Sequence, residues 1–508
     1  MEPSLSFENV LMPSELNFES FEQGVECDGI LPDYLPDISR VIRCTLEPRV
    51  LNRQWLGDSL ELDGEIRVRM VYFSEESGAL AVYETLISFS KSLEGRVSSP
   101  EAVTEVLPRV DYCHCRVVNR RKAEIRGAVS FSVRAAGGRE EKLLTDAGGC
   151  GLECHRTAKE ISVLQAAVSQ QSEEQADFVL EGEEQEIRCI LDARGICILE
   201  DQRAADGQLL VRGAIRVRIL AQKTDGAVCS IQREIPFSRV LEQEKLTDGI
   251  PCVVRTQLVR LDTDLPESED EPLLSVSAEL WIGAVQPVTR SVSLIDDCYS
   301  TLYESEQTEV HLKMPVLTES ISESGSVTDR IHWGEEKPDR IFEVFGALDR
   351  LSVTPKFGDL TLQGNMIYTV YYQRQDGMPA VTERTVPFEI VRKLASSGEE
   401  MRFDGSLQLT EITAGSFDAD GMEIHAGMKL NGAVYSLNSC EAVSDIQVME
   451  EQPKAPETDG LILYFGERGE EIWQIGKRYG LSVSRIMEEN RLDEETLKDS
   501  QLLLIPAV

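Results

Sequence analysis

Three stretches carry one pattern: Leu60–Tyr72 (LELDGEIRVRMVY), Leu209–Ala221 (LLVRGAIRVRILA) and Leu360–Tyr372 (LTLQGNMIYTVYY). Each alternates apolar and polar residues about a central glycine. In the first, Leu62, Ile66, Val68 and Met70 oppose Glu61, Asp63, Glu65, Arg67 and Arg69. In the second, Val211, Ile215, Val217 and Ile219 oppose Arg212, Arg216 and Arg218. In the third, Leu362, Met366, Tyr368 and Val370 oppose Gln363, Asn365 and Thr369. A period of two belongs to a half-buried strand. The glycine falls on the apolar side each time, which marks a bend, a bulge or a close packing contact.

Gly64, Gly213 and Gly364 are 149 and 151 residues apart. That exceeds a solenoid period, so each copy is expected to be a domain. Turn glycines follow at Gly78, Gly226 and Gly377. Then come Ile87-Ser88-Phe89, Ile235-Pro236-Phe237 and Val386-Pro387-Phe388. A further alternating strand closes each copy, at Glu124–Val133, Leu274–Val285 and Met422–Val434. The expected fold class is mainly β: three repeated β-rich domains, antiparallel sandwiches or barrel-like, over 1–152, 153–305 and 306–447. Residues Ala158–Gln171 read differently. Their stripe of Val163, Leu164, Ala167 and Val168 predicts a helix that joins the first two copies or begins the second.

Residues 448–458 (VMEEQPKAPET) read as a polar, acidic linker with two prolines. A βααβ module is expected over 459–508. It opens with a strand at Leu461–Phe465 and a turn at Gly466–Gly469. A helix over Glu470–Tyr479 ends at Gly480, and a second is capped by Ser482. Leu502–Ile505 forms the last strand.

The chain has 508 residues, with 51 Lys+Arg against 89 Asp+Glu and a net charge of −38. So acidic a surface repels nucleic-acid phosphate and anionic lipid, so neither is expected as a partner. No run reaches the ~20 apolar residues of a membrane span. The acidic start, MEPSLSFENV, lacks the features of a secretory leader, so a cytosolic location is expected. Twelve cysteines are too few for a disulfide scaffold at this length. Cys113 and Cys115, with Cys150 and Cys154, are the one suggestive zinc grouping, flanked by His114 and His155. Their spacing lacks paired C-x₂-C, and buried or loop thiols are the expected outcome. No phosphate loop, His-Glu-x-x-His or Gly-x-Ser-x-Gly occurs. No cofactor and no enzymatic activity are expected.

The string Ile30–Arg40 (ILPDYLPDISR), followed by the glycine-centred strand and the Pro-Phe step, resembles the SPOCS (spore coat-associated) domain. The C-terminal module resembles a LysM domain through Trp473, the run Gly476–Gly480, Asn490 and Leu504-Ile505-Pro506. Together the two resemble the spore morphogenetic proteins of clostridia. LysM domains bind N-acetylglucosamine glycans between the first strand–helix loop and the loop before the last strand. Here those loops are Arg468-Gly469-Glu470-Glu471 and Lys498-Asp499-Ser500, in place of the usual Gly-Asp-Thr and Pro-Gly. The module carries six basic and ten acidic residues. Charged side chains must be desolvated against a neutral glycan. The resemblance implies a protein partner for the module, the stage IV sporulation protein A ATPase, with Leu461, Ile472 and Trp473 as contributors. It implies a mother-cell scaffold at the forespore surface that also touches other coat proteins. The alternative is a peptidoglycan-binding protein, and Asn490 with the loop Arg468–Glu471 then belongs to the glycan site.

Overall fold

The computed structural model describes residues 3–17, 20–95, 102–265, 272–334, 337–418, 420–454 and 462–506. It is mainly β. The first copy of the pattern supplies β1 (Ser4–Asn17), β2 (Phe21–Ile30), β3 (Arg40–Leu56), β4 (Ser59–Ser74), β5 (Ala79–Glu94), β6 (Val103–Asn119) and β7 (Lys122–Gly148). The second supplies β8 (Leu152–Val179), β9 (Ile187–Ala205), β10 (Gln208–Lys223), β11 (Val228–Glu242), β12 (Val253–Asp264) and β13 (Leu273–Ser300). The third supplies β14 (Tyr303–His332), β15 (Pro338–Lys356), β16 (Asp359–Arg374), β17 (Pro379–Lys393), β18 (Met401–Phe417) and β19 (Gly421–Pro453).

Each repeat has two antiparallel sheets. One is β3-β4-β5, β9-β10-β11 or β15-β16-β17, centred on the glycine-bearing strand. The other is centred on β7, β13 or β19. The inward residues of the central strand meet the second sheet in one core: Ile215, Val217 and Ile219, for example, pack with Leu274, Val276 and Leu280. In the first repeat the string Ile30–Arg40 forms the loop into β3. Arg121 holds it open, donating to the carbonyls of Leu31 (3.2 Å), Pro32 (2.7 Å) and Leu35 (2.6 Å).

The closing strands run well beyond the alternating segments seen in the sequence. Their far halves pair with β1, β8 and β14 as long two-stranded ribbons. The three ribbons share an apolar core of Val10, Met12 and Leu143, of Ile161, Val163 and Leu294, and of Leu312, Met314 and Ala442. Each ribbon alone exposes an apolar face, so association of the three buries it. The expected helix over Ala158–Gln171 lies inside β8 instead. A register shift between Leu164 and Ala166 opposite Pro287 and Gln286 breaks the period of two, so the apolar residues imitate a helical stripe. Ile161, Val163, Leu164, Ala166 and Ala167 are all buried. An apolar run covered on both faces cannot be told from a helix by periodicity.

Beyond the central glycine the polar faces of β4 and β10 are drawn out of solvent, whereas Asp63 and Arg212 before it are exposed. Arg67 and Arg69 are only 9 % and 6 % exposed. They reach the second repeat, where Arg67 Nη1 lies 3.4 Å from the Leu261 carbonyl and Arg69 Nη1 lies 3.4 Å from that of Leu191. The equivalent Arg216 and Arg218 reach the third repeat, at the Thr410 carbonyl (3.4 Å) and at Glu343 (3.1 Å). The repeats therefore pack side by side through their charged faces.

After β19 come β20 (Ile462–Gly466), α1 (Ile472–Tyr479), α2 (Val483–Asn490) and β21 (Gln501–Ile505). β19 runs to Pro453, so residues 448–453 of the stretch expected as a linker are strand. Among the described residues no helix is long and apolar enough to cross a membrane.

Candidate partner-binding site in the C-terminal module

The module folds around Ile472, Ile475, Leu481, Ile486, Leu497, Leu503 and Ile505. Gly480 ends α1 in the left-handed region at φ 65°. Ser482 caps α2, its hydroxyl accepting from the Arg485 backbone N–H.

The residues singled out in the sequence divide sharply. Ile472 is core. Asn490 is a clamp: its amide donates to the carbonyls of Ile486 and Leu504, both at 2.8 Å, and its oxygen accepts from Leu504 N at 2.6 Å, tying β21 to α2. The two loops are stitched to each other. Gly469 N donates to Leu497 O (2.8 Å), Leu497 N to Glu470 O (2.9 Å), and Arg468 N to Ser500 Oγ (3.1 Å). Glu470 accepts from Tyr464 Oη at 2.5 Å and from Glu467 N at 3.1 Å. Glu471 bridges to Thr496. Leu461 lies outside the described residues.

Trp473 is turned inward, 6 % exposed, against the ribbon of the second repeat. Its indole N–H donates to Asp297 Oδ2 at 2.8 Å, and Lys477 Nζ meets Asp297 Oδ1 at 2.6 Å. Its ring lies 4.9 Å from Tyr299 and 5.2 Å from His155. Tyr299 Oη donates to the Leu481 carbonyl at 2.7 Å. Gly476 admits that hydroxyl, since an added Cβ would sit 2.5 Å from it. A bulge between Ile295 and Asp297 arranges this. Asp296 turns to its own ribbon, 2.6 Å from His155 Nδ1 and 2.5 Å from Thr157 Oγ1, while Asp297 faces the module. Asp297, Tyr299 and the role of His155 were not legible in the sequence. Nothing local distinguishes a docking aspartate from the chain's many others.

Burial alone would raise Asp297, but hydrogen bonds from Lys477 and Trp473 hold it below the usual carboxylate range. A carboxyl depressed on docking stabilises the docked state above its free value of about 3.9 and loses that contribution as pH falls through the depressed value. Acidification below about pH 4 is therefore expected to loosen the module. The indole N–H resonance of Trp473 in ¹⁵N-tryptophan-labelled protein reports it, as one of four such signals. Asp297→Asn should weaken docking at neutral pH and flatten this acid response; an unchanged acid response would contradict the assignment.

With Trp473 occupied, the outward face of the module is a different surface. β20 and β21 pair Leu463 with Leu504 and Phe465 with Leu502. Ile462 and Tyr464 alternate inward, packed against the module's core. Leu463, Phe465 and Leu502 are 59 %, 64 % and 58 % exposed. The three large apolar side chains lie side by side in solvent on a two-stranded sheet.

The suggested zinc grouping is not assembled. Cys113 and Cys115 pair with the start of β7, whereas Cys150 and Cys154 lie past its end, roughly 70 Å away along the strand. Cys113 and Cys115 instead meet Cys44 of the facing sheet. Among the described residues no group of three or more His, Cys, Asp and Glu has the arrangement to hold a metal ion.

No family model, characterised protein or solved structure matches the chain.

Proposed function

We propose that the chain is a non-enzymatic scaffold of spore morphogenesis, similar to SipL, built of SPOCS-like repeats and a LysM-like module. It works in the mother cell, where it attaches coat assembly to the forespore surface. The module contacts a stage IV sporulation protein A-like ATPase, and the repeats hold other coat proteins. The observation that carries this reading is the outward apolar face of Leu463, Phe465 and Leu502. It fits a protein surface better than a sugar, because burying it against an apolar partner gains roughly 25 cal/mol per Å². The two loops of this chain that correspond to the glycan-binding loops of LysM domains have backbone donors already taken by acceptors within the pair. The reading therefore moves the partner contact from Trp473 to the opposite face of the same module.

Co-purification with the ATPase tests it. Phe465→Ser with Leu502→Ser should abolish retention and leave the unfolding midpoint within about 2 °C, since both side chains are already in water. Retention by the double variant would place the contact elsewhere. Sedimentation with peptidoglycan that is insensitive to this variant, with no ATPase retained, would favour the glycan-binding alternative.

A further inference from the structure

The repeats do not close completely where their charged faces meet. A chamber of 840 Å³ remains there, walled by equivalent strands of all three: β3 and β6, β9 and β12, β15 and β18. Its size falls within the range of sites for small organic ligands, roughly 300–1,000 Å³. Seven arginines and five acidic residues line it, in a chain of net charge −38. Each of the seven is ion-paired with a carboxylate, so the attraction for an anion rests on guanidinium donors that those pairs leave free.

The walls differ in kind. The first and second repeats bring Arg43, Arg194, Arg216 and Arg218, while the third places Ile367 and Thr369 where the other central strands carry arginines. The third repeat adds the apolar Leu348 and Ile412, beside the carboxylates of Asp349, Glu383 and Glu411. The Arg194 guanidinium lies over the Phe345 ring, with Cζ 4.9 Å from its centroid and Nε 3.6 Å from Asp192. Those two contacts anchor the guanidinium at Cζ and Nε and do not use its Nη donors, which suit a planar oxyanion. Arg43 is held by Glu383 at 3.2 Å, and that carboxylate is 56 % exposed, so an incoming anion can replace it at small cost.

We propose that this chamber binds a small amphipathic organic anion. Its carboxylate or phosphate head lies on Arg194 and Arg43, and its apolar body lies against Leu348 and Ile412. Bound there, one molecule would touch all three repeats and tighten their association. This inference does not depend on the scaffold reading.

Calorimetric titration of the full chain tests it with phenyl phosphate, phenylacetate and inorganic phosphate. Saturable binding is expected for at least one of the two aromatic anions, at least about tenfold tighter than for inorganic phosphate. The stronger of the two identifies the head group. Arg194→Lys keeps a cation beside the buried Asp192 and removes the fork of donors; it should weaken that probe about tenfold or more, with the unfolding midpoint little changed. Arg43→Met, whose loss leaves only the exposed Glu383 unpaired, should act in the same direction. No saturation by either aromatic probe up to about 10 mM, or affinity that neither variant alters, would overturn the proposal.

Discussion

Replacing Arg255 by alanine is expected to cost about 3–5 kcal/mol and to loosen the seam where the three repeats meet. Arg255 stands on β12 of the second repeat and is 2 % exposed. Its guanidinium is hydrogen-bonded to Asp404 on β18 of the third repeat, and its Nε lies 3.7 Å from Glu105 on β6 of the first. One side chain therefore joins all three copies. Burial alone would lower its affinity for the proton, but Asp404 and then Glu105 more than reverse that, so the charge is kept. Glu105 has a second cation, Arg134 Nη2 at 2.5 Å. Asp404 has only Arg255 among the ion pairs of the described residues, and its side chain is 6 % exposed. Truncation thus strands a buried carboxylate, the costly way to break a buried pair. Adding Asp404→Asn to Arg255→Ala should recover much of the loss, since an amide in place of the carboxylate removes the stranded charge. Urea unfolding of the three proteins decides the matter. A loss under about 1 kcal/mol for Arg255→Ala, or no recovery in the double variant, would mean that the arginine is not what holds the repeats together.

The same network explains what the sequence concealed. Periodicity separates the two faces of a strand but does not say what covers each. The apolar faces of β4, β10 and β16 were legible because only a core covers such residues. The faces bearing Arg67, Arg69, Arg216 and Arg218 looked solvated, yet they carry the contacts between repeats. Arginine disguises an interface because it finds carboxylate partners on both sides: Glu84 and Glu234 within the repeats, Asp262 and Glu343 across them. Ala158–Gln171 misled for a related reason. Covered on both faces and shifted by a bulge, it lost the alternation that identifies a strand. In the module, the helix ends were legible from Gly480 and Ser482. The use of Trp473 was not, because its partner Asp297 is distant in sequence and is aimed by a bulge that no residue type announces. The outward pairs Leu463–Leu504 and Phe465–Leu502 follow from the alternation of β20 and β21, and so the sequence did contain them.

Gly213→Ala is expected to be nearly as damaging as loss of Arg255, by about 3 kcal/mol, and the repeat supplies its own control. An added Cβ on Gly213 would stand 2.1 Å from the Ile198 carbonyl oxygen and 2.6 Å from Phe237 Cζ. On Gly64 it would stand 2.3 Å from the Arg49 oxygen and 2.5 Å from Phe89 Cζ. The geometry has one origin in all three repeats. The strand before the glycine is bulged beside it, at Val50/Asn52, at Leu199/Asp201 and at Asp349/Ser352. The bulge swings a carbonyl over the glycine, and a phenylalanine from the strand on the other side covers it. The register pairs Gly64 with Phe89, Gly213 with Phe237 and Gly364 with Phe388. This accounts for the Ile-Ser-Phe, Ile-Pro-Phe and Val-Pro-Phe steps: each phenylalanine fills the space its glycine leaves. Neither neighbour yields easily, since one is backbone and the other is packed in the core. In the third repeat the clearances are looser, 3.1 Å to Phe388 Cε1 and 3.2 Å to the Asp349 oxygen, and Gly364→Ala should cost about 1 kcal/mol or less. Unfolding midpoints for the three alanine variants should therefore fall in the order Gly364 above Gly64 and Gly213. Equal losses at all three positions would attribute the effect to strand propensity rather than to the carbonyl above the glycine. A neutral Gly213→Ala would show that the bulge relaxes freely, and the glycine would then be no more than a tolerated small residue.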